Sequence, residues 1–177
     1  MIKLRSSIKS YLMKKALFRG TFLAGLGASL LFLSYMMMPP STLKLWGFPT
    51  VLIGFLFILS GMIPYKRLSS LETMPHEIHL DSEFLSFFLK GTPLFRVKLE
   101  FISDVNYTET KEIYGLSIQL KRPAHSAITL LQSHQQFATF TAWAKQKMPH
   151  VDLFLPYFSK NTEEEIKNSI TYSVKWA

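Results

Sequence analysis

Residues 20–38 and 45–63 are two runs of nineteen positions without a charged side chain. At about 1.5 Å per helical residue each run reaches roughly the 30 Å of a bilayer core, so the pattern predicts two membrane-spanning helices. The connector Pro39-Pro40-Ser41-Thr42-Leu43-Lys44 leaves room only for a tight turn, so the helices are expected to run antiparallel as a hairpin. Small residues recur every seven positions in each run, as Gly20, Gly27 and Ser34 in the first and Gly47, Gly54 and Gly61 in the second. Small residues let helix backbones approach where lipid supplies no hydrophobic drive, and the two stripes are expected to face each other or a second membrane protein. Neither run contains Asp, Glu, Lys, Arg or His, which argues against an ion or proton pathway through the hairpin.

Beyond Ile63 the apolar positions alternate or cluster in short runs punctuated by Pro64, Pro75, Pro93 and Pro123. Strands are predicted around Ile78 and Leu80, over 84–90, 96–101 and 105–108, from Leu116 to Leu120, and over 127–131. Asp81-Ser82-Glu83, Gly91 and the region of Lys111 and Glu112 are expected to turn the chain. The periodicity then becomes helical. Phe137, Phe140, Trp143 and Ala144 stand at three- and four-residue spacing, with Lys145 and Lys147 before Pro149. Asn161-Thr162-Glu163-Glu164-Glu165 reads as a capped, acidic opening of a last helix running to about Val174. The segment 151–158 fits either a docking strand or an apolar linker. The expected fold class is a membrane α-helical hairpin plus an α+β domain, its antiparallel sheet capped by a helix, with one further C-terminal helix.

Charge changes the picture only when divided by region. The 177 residues carry a net charge of +8. Residues 1–19 hold Lys3, Arg5, Lys9, Lys14, Lys15 and Arg19 and no acid, whereas thirteen Lys and Arg from residue 65 onward meet twelve Asp and Glu. The domain over 68–177 is therefore nearly neutral and lacks the electrostatic footprint of a nucleic-acid binder. The six cations of the leader suit an anionic lipid surface, and with Lys66 and Arg67 they place both chain ends on the cytoplasmic side. The expected organisation is a basic cytoplasmic leader over 1–19, the hairpin over 20–63 and a cytoplasmic domain over 68–177.

Candidate chemistry is sparse. The absence of cysteine excludes thiolate sites, thiol nucleophiles and disulfides. His76 and His79 point to opposite faces if the segment is a strand, and His150 with Asp152 supplies two ligands where a metal site needs three or four. His125-Ser126 is a sequence-adjacent base and hydroxyl, but neighbouring residues in an extended segment point apart and no nucleophile elbow surrounds them. The aromatic residues exceed what a thin core must hold, so Leu153, Phe154, Tyr157 and Phe158 are a candidate exposed patch for a partner. No cofactor and no metal are expected.

The segments Pro75-His76-Glu77-Ile78-His79-Leu80, Leu99-Glu100-Phe101-Ile102-Ser103-Asp104-Val105 and Tyr114-Gly115-Leu116-Ser117-Ile118 resemble bacterial membrane proteins carrying a pleckstrin-homology-like domain. The resemblance spans about residues 75–148. It implies a small, strongly bent antiparallel sheet closed by a helix, held at the bacterial inner membrane by one or two spans. Inositol-phosphate binders of that fold keep cations around the first turn, where this chain has Asp81-Ser82-Glu83, so that ligand is not expected. The paired helices also look like the anchor of chlamydial inclusion-membrane proteins, as any short helical hairpin would. The reading that follows is a non-enzymatic, membrane-anchored interaction or scaffold module. Its expected partners are membrane lipids and a protein, without nucleic acid, the alternative being an accessory or assembly subunit of a larger membrane complex.

Overall fold

The computed structural model describes residues 2–111 and 113–175, without the side chains of Leu43, His125 and 172–175. The chain divides into two compact units, one made of residues 8–73 and the other of residues 1–7 together with 74–177. Residues 2–7 thus belong with the C-terminal unit.

The 8–73 unit is a pair of helices, α1 (Ser10–Met37) and α2 (Pro40–Thr73). Both are longer than their uncharged cores. At the helical rise their 28 and 34 residues extend about 42 and 51 Å. Ser10 to Arg19, expected as part of a leader, is the first part of α1, and the connector shrinks to Met38 and Pro39. Pro40 opens α2 at the position where a missing N–H costs nothing. Pro64, which breaks the sequence pattern, lies within α2 and does not end it. A proline forfeits one backbone hydrogen bond but leaves the rest of a long helix intact.

The other unit contains two antiparallel sheets. Strands β1 (Ile2–Arg5), β2 (Glu77–Leu80), β3 (Phe84–Leu89), β4 (Thr92–Lys98) and β7 (Ile128–Leu130) form a five-stranded sheet in the order β1-β2-β3-β4-β7. Strands β5 (Ile102–Glu109), β6 (Tyr114–Leu120) and β8 (Leu153–Pro156) form a three-stranded sheet in the order β5-β6-β8. A single 3-10 turn over Leu99–Phe101 separates β4 from β5, so the stretch 96–101 expected as one strand is cut at Lys98. Similarly, Ala127 closes a one-turn helix α3 (Ala124–Ala127), and only Ile128–Leu130 is extended.

Helices α4 (His134–Lys147) and α5 (Lys160–Lys175) complete the unit. Pairing is specified by alternation. Ile78 and Leu80 face Phe87 and Leu85 on the core side, while Glu77 and His79 stand opposite Phe88 and Ser86 on the outer side. At the β3–β4 turn Lys90 and Gly91 take φ of 53° and 81°, the left-handed pair a two-residue hairpin needs. Phe87 is the centre of the core, with ring centroids 5.4 Å from both Phe95 and Phe140 and 6.4 Å from Phe158.

The edges are closed by side chains. On the open side of β5, Glu163 Oε2 of α5 accepts from the Tyr107 N–H (3.0 Å), while Oε1 accepts from Lys167 (2.6 Å). These contacts hold the Glu163 carboxyl below its usual range, chiefly through the Lys167 hydrogen bond. Asp152 Oδ2 takes the Leu120 N–H at 2.8 Å. Such contacts satisfy strand groups that would otherwise be open to another chain.

Candidate functional site

The small residues of the hairpin meet inside it. A Cβ placed on Gly20 falls 2.6 Å from the Gly61 carbonyl oxygen, and one on Gly27 falls 2.5 Å from that of Gly54. No real Cβ fits at such distances, so the backbones touch along this seam. The pairs 20/61 and 27/54 fix an antiparallel register, which extended by seven residues brings Ser34 level with Gly47. Ser34 also turns its hydroxyl back to the Leu30 carbonyl at 2.7 Å. Gly25, two residues from the seam, faces open space.

The same register aligns charges that lie far apart in sequence. It sets Lys15 level with Lys66 and Lys14 level with Arg67, so four cations form one tier across the hairpin. No acidic residue occurs before Glu72 to neutralise them. The large apolar side chains of both helices stand exposed on one side of this tier, Phe18, Phe22, Phe32 and Phe48 each being more than 60 % accessible.

The remaining cations of the leader are placed differently. Lys3 and Arg5 sit on β1, opposite His79 and Glu77, so they belong to the outer face of the five-stranded sheet and not to a helix lying on lipid. Arg5 Nε donates to Glu77 Oε1 at 2.9 Å, and Glu77 Oε2 lies 2.9 Å from His79 Nε2. The imidazole and guanidinium together depress the Glu77 carboxyl, the His79 hydrogen bond contributing most. Arg96 continues this face, its Nε donating to Ser86 Oγ at 3.1 Å and its guanidinium standing 5.0 Å over the Phe84 ring.

The two neighbouring histidines part company as the strand geometry requires. His79 stacks on Phe88 on the outer face, with centroids 4.1 Å apart. His76 is buried against Phe87, its Nδ1 accepting from the Lys90 N–H at 3.4 Å. Burial, helped by the nearby Lys90 charge, holds its pKa down to about 4. Among the described residues no three His, Asp or Glu side chains gather as a metal site. The side chain of His125 lies outside the described residues, as does Glu112 of the expected turn.

The expected partner patch is instead core. Leu153, Phe154 and Phe158 are each 2 % exposed or less. The aromatic residues exceed what one sheet can cover, but β8 closes a second sheet against Gly115 to Ile118 of β6, and that adds core for them to fill. Gly115 is obligatory there, since a Cβ would overlap the Leu155 carbonyl oxygen.

Tyr157, partly buried, anchors a junction. Its φ of 68° turns the chain after β8, its N–H donates to the Tyr114 carbonyl at 2.8 Å, and its carbonyl accepts from the Ser7 N–H at 3.0 Å. The Tyr114 hydroxyl donates to the Ser7 carbonyl. The last residues before the hairpin are thereby stitched to β6 and to the end of β8. The missed signal was Ile2-Lys3-Leu4-Arg5 itself, a period-two pattern hidden among cations that read as a membrane leader. Comparison of the chain with protein-family models, with curated proteins and with solved structures finds no match to any of them.

Proposed function

We propose that this chain is a membrane-anchored, non-enzymatic interaction module in which the hairpin spans a bilayer and a β-rich, pleckstrin-homology-like head engages a protein partner. The observation that carries the reading is the way the two units are connected. Strand β1 precedes the hairpin and strand β2 follows it, and the two pair along Ile2↔Leu80 to Arg5↔Glu77. A hairpin whose two ends feed one sheet has both ends on one side of the membrane.

The positive-inside rule makes that side cytoplasmic, because the Lys14, Lys15, Lys66 and Arg67 tier lies toward the helix ends joined to the head. Cleavage within α1, as of a signal sequence, would remove β1 from its sheet, so the first helix is read as retained. Tethering supplies the mechanism. Confinement to a surface raises the effective concentration of a weak binder without new contacts. The two antiparallel sheets, with α3 and α4 interspersed and α5 after them, give the coarse helix-plus-β layout that this reading needs.

A second reading, an accessory or assembly subunit of a membrane complex, is favoured by one observation. Gly25 leaves a small-residue notch on the outer side of α1, with nothing within 4 Å of its Cβ position. The test has two arms. Alkaline washing of membranes should leave the full chain in the pellet, with tags at both termini open to protease from the cytoplasmic face alone. Native electrophoresis after mild detergent extraction should give a monomer or a small complex with a soluble protein. A discrete large membrane complex would select the second reading, and recovery of the chain in the alkaline supernatant would remove both.

A further inference from the structure

The 8–73 unit carries a groove of about 630 Å³ lined on α1 by Leu17, Gly20, Thr21 and Ala24. Its α2 side carries Gly61, Met62, Tyr65 and Lys66 and continues over Ser69, Ser70 and Thr73. The lining positions recur at three- and four-residue spacing on each helix, so the groove is a continuous strip that follows α2 for roughly 18 Å. One end of the strip is apolar, and its floor is the seam where the Gly20 and Gly61 backbones touch. The other end is polar and begins at Tyr65 and Lys66, on the tier shared with Lys14, Lys15 and Arg67.

We infer that this groove seats one anionic phospholipid of the leaflet to which the head is joined, a site that rests on the membrane reading above. The two halves of the strip match the two halves of such a molecule. An acyl chain fits against Ala24, Gly61 and Met62. The phosphate fits at Lys66, with hydroxyl donors from Tyr65 and Ser69, since an ammonium and hydroxyls all donate to phosphate oxygens. Charge decides between lipid classes. The tier holds four cations and the hairpin no carboxylate before Glu72, so a zwitterionic headgroup would bring a further positive charge into an already positive site. A second copy of the chain is disfavoured as occupant for the same reason, since it would bring an identical cationic tier against this one.

Full-length protein purified in a mild non-ionic detergent, mixed with equal amounts of phosphatidylglycerol and phosphatidylcholine, tests the seat by native mass spectrometry. One phosphatidylglycerol should be retained per chain in preference to phosphatidylcholine. Lys66→Ala should weaken that retention about fivefold, the worth of one cation at a lipid surface. Lys44→Ala, near the far end of the hairpin, should leave it unchanged. Met62→Trp, which fills the apolar end without touching charge, should also reduce retention while circular dichroism remains that of the parent chain. Equal retention of the two lipids, no retained lipid, a dimer in place of a lipid adduct, or identical losses in Lys66→Ala and Lys44→Ala would overturn the proposal. Retention of the chain in alkaline-washed membranes is measured separately, so a chain that stays in the pellet yet shows no lipid preference refutes the groove alone.

Discussion

The fifteen phenylalanines of this chain show how differently its two regions use one residue type. Six lie on the hairpin, at 18, 22, 32, 48, 55 and 57, and every one is at least 38 % exposed. Nine lie in the β-rich unit, and there Phe87, Phe95, Phe154 and Phe158 are at most 1 % exposed. Burying a phenylalanine is worth about 1.5–3 kcal/mol, so a region that leaves six open forgoes that gain within its own fold. The head derives its stability from its own core. The hairpin derives its cohesion from a backbone seam and leaves its apolar bulk to the surroundings.

The sharpest way to break this contrast is to truncate one ring in each region. Phe87→Ala should lower the stability of the head by about 3–5 kcal/mol, since it opens a cavity among Phe95, Phe140 and Phe158. Phe48→Ala, at a side chain 79 % exposed, should leave head melting unchanged within about 0.5 kcal/mol. Thermal unfolding in detergent followed by near-ultraviolet circular dichroism reads both. Equal losses would mean that the two regions share one core.

Acid should separate the regions next. His76 is neutral in the folded head, with a pKa held near 4 against 6.5 when unfolded. The unfolded chain therefore takes up the proton first. Head stability is full above pH 6.5 and falls as the pH drops toward 4, by a total on the order of 3 kcal/mol. Glu77 and Glu163, both depressed when folded, add loss in the same direction at still lower pH. His76→Gln should flatten the pH 4–6.5 portion of the melting profile. No histidine lies between residues 8 and 73, so helix content of the hairpin should not follow this titration.

Within the hairpin, Gly27→Leu and Gly25→Leu differ by two positions and should differ in effect. The first drives a side chain into the Gly54 carbonyl and should cost about 1–3 kcal/mol, while the second enters open space. The rate of proteolysis between the helices distinguishes them. On β1 the smaller of two expected effects is that of Arg5→Ala. Its ion pair with Glu77 is 70 % exposed on the arginine side and should contribute no more than about 1 kcal/mol. Leu4→Ala on the same strand, 8 % exposed, should cost more by melting temperature. That ranking would locate the value of β1 in its packing and not in its charge.

What could be read in advance follows physical range. The uncharged runs, their glycine interval, the alternation of β2 to β6 and the two late helices rest on neighbours within a few positions, so residue order exposes them. The helices run past the uncharged stretches, because charge marks the limit of an apolar run and not the limit of a helix. A helix continues through Lys14, Lys15, Lys66 and Arg67 wherever backbone bonding continues, whatever the side chains meet.

Residue order by itself determined that two apolar helices pair antiparallel and that a near-neutral, mostly extended segment follows them. Only the tertiary structure decided that Ile2–Arg5 joins the sheet more than seventy residues away, that Leu153, Phe154 and Phe158 are interior, and that four cations share one tier. Those outcomes depend on which strands and helices become neighbours. A pairing across a long loop is fixed by the complementary surfaces that close the core, and no local pattern records its partner.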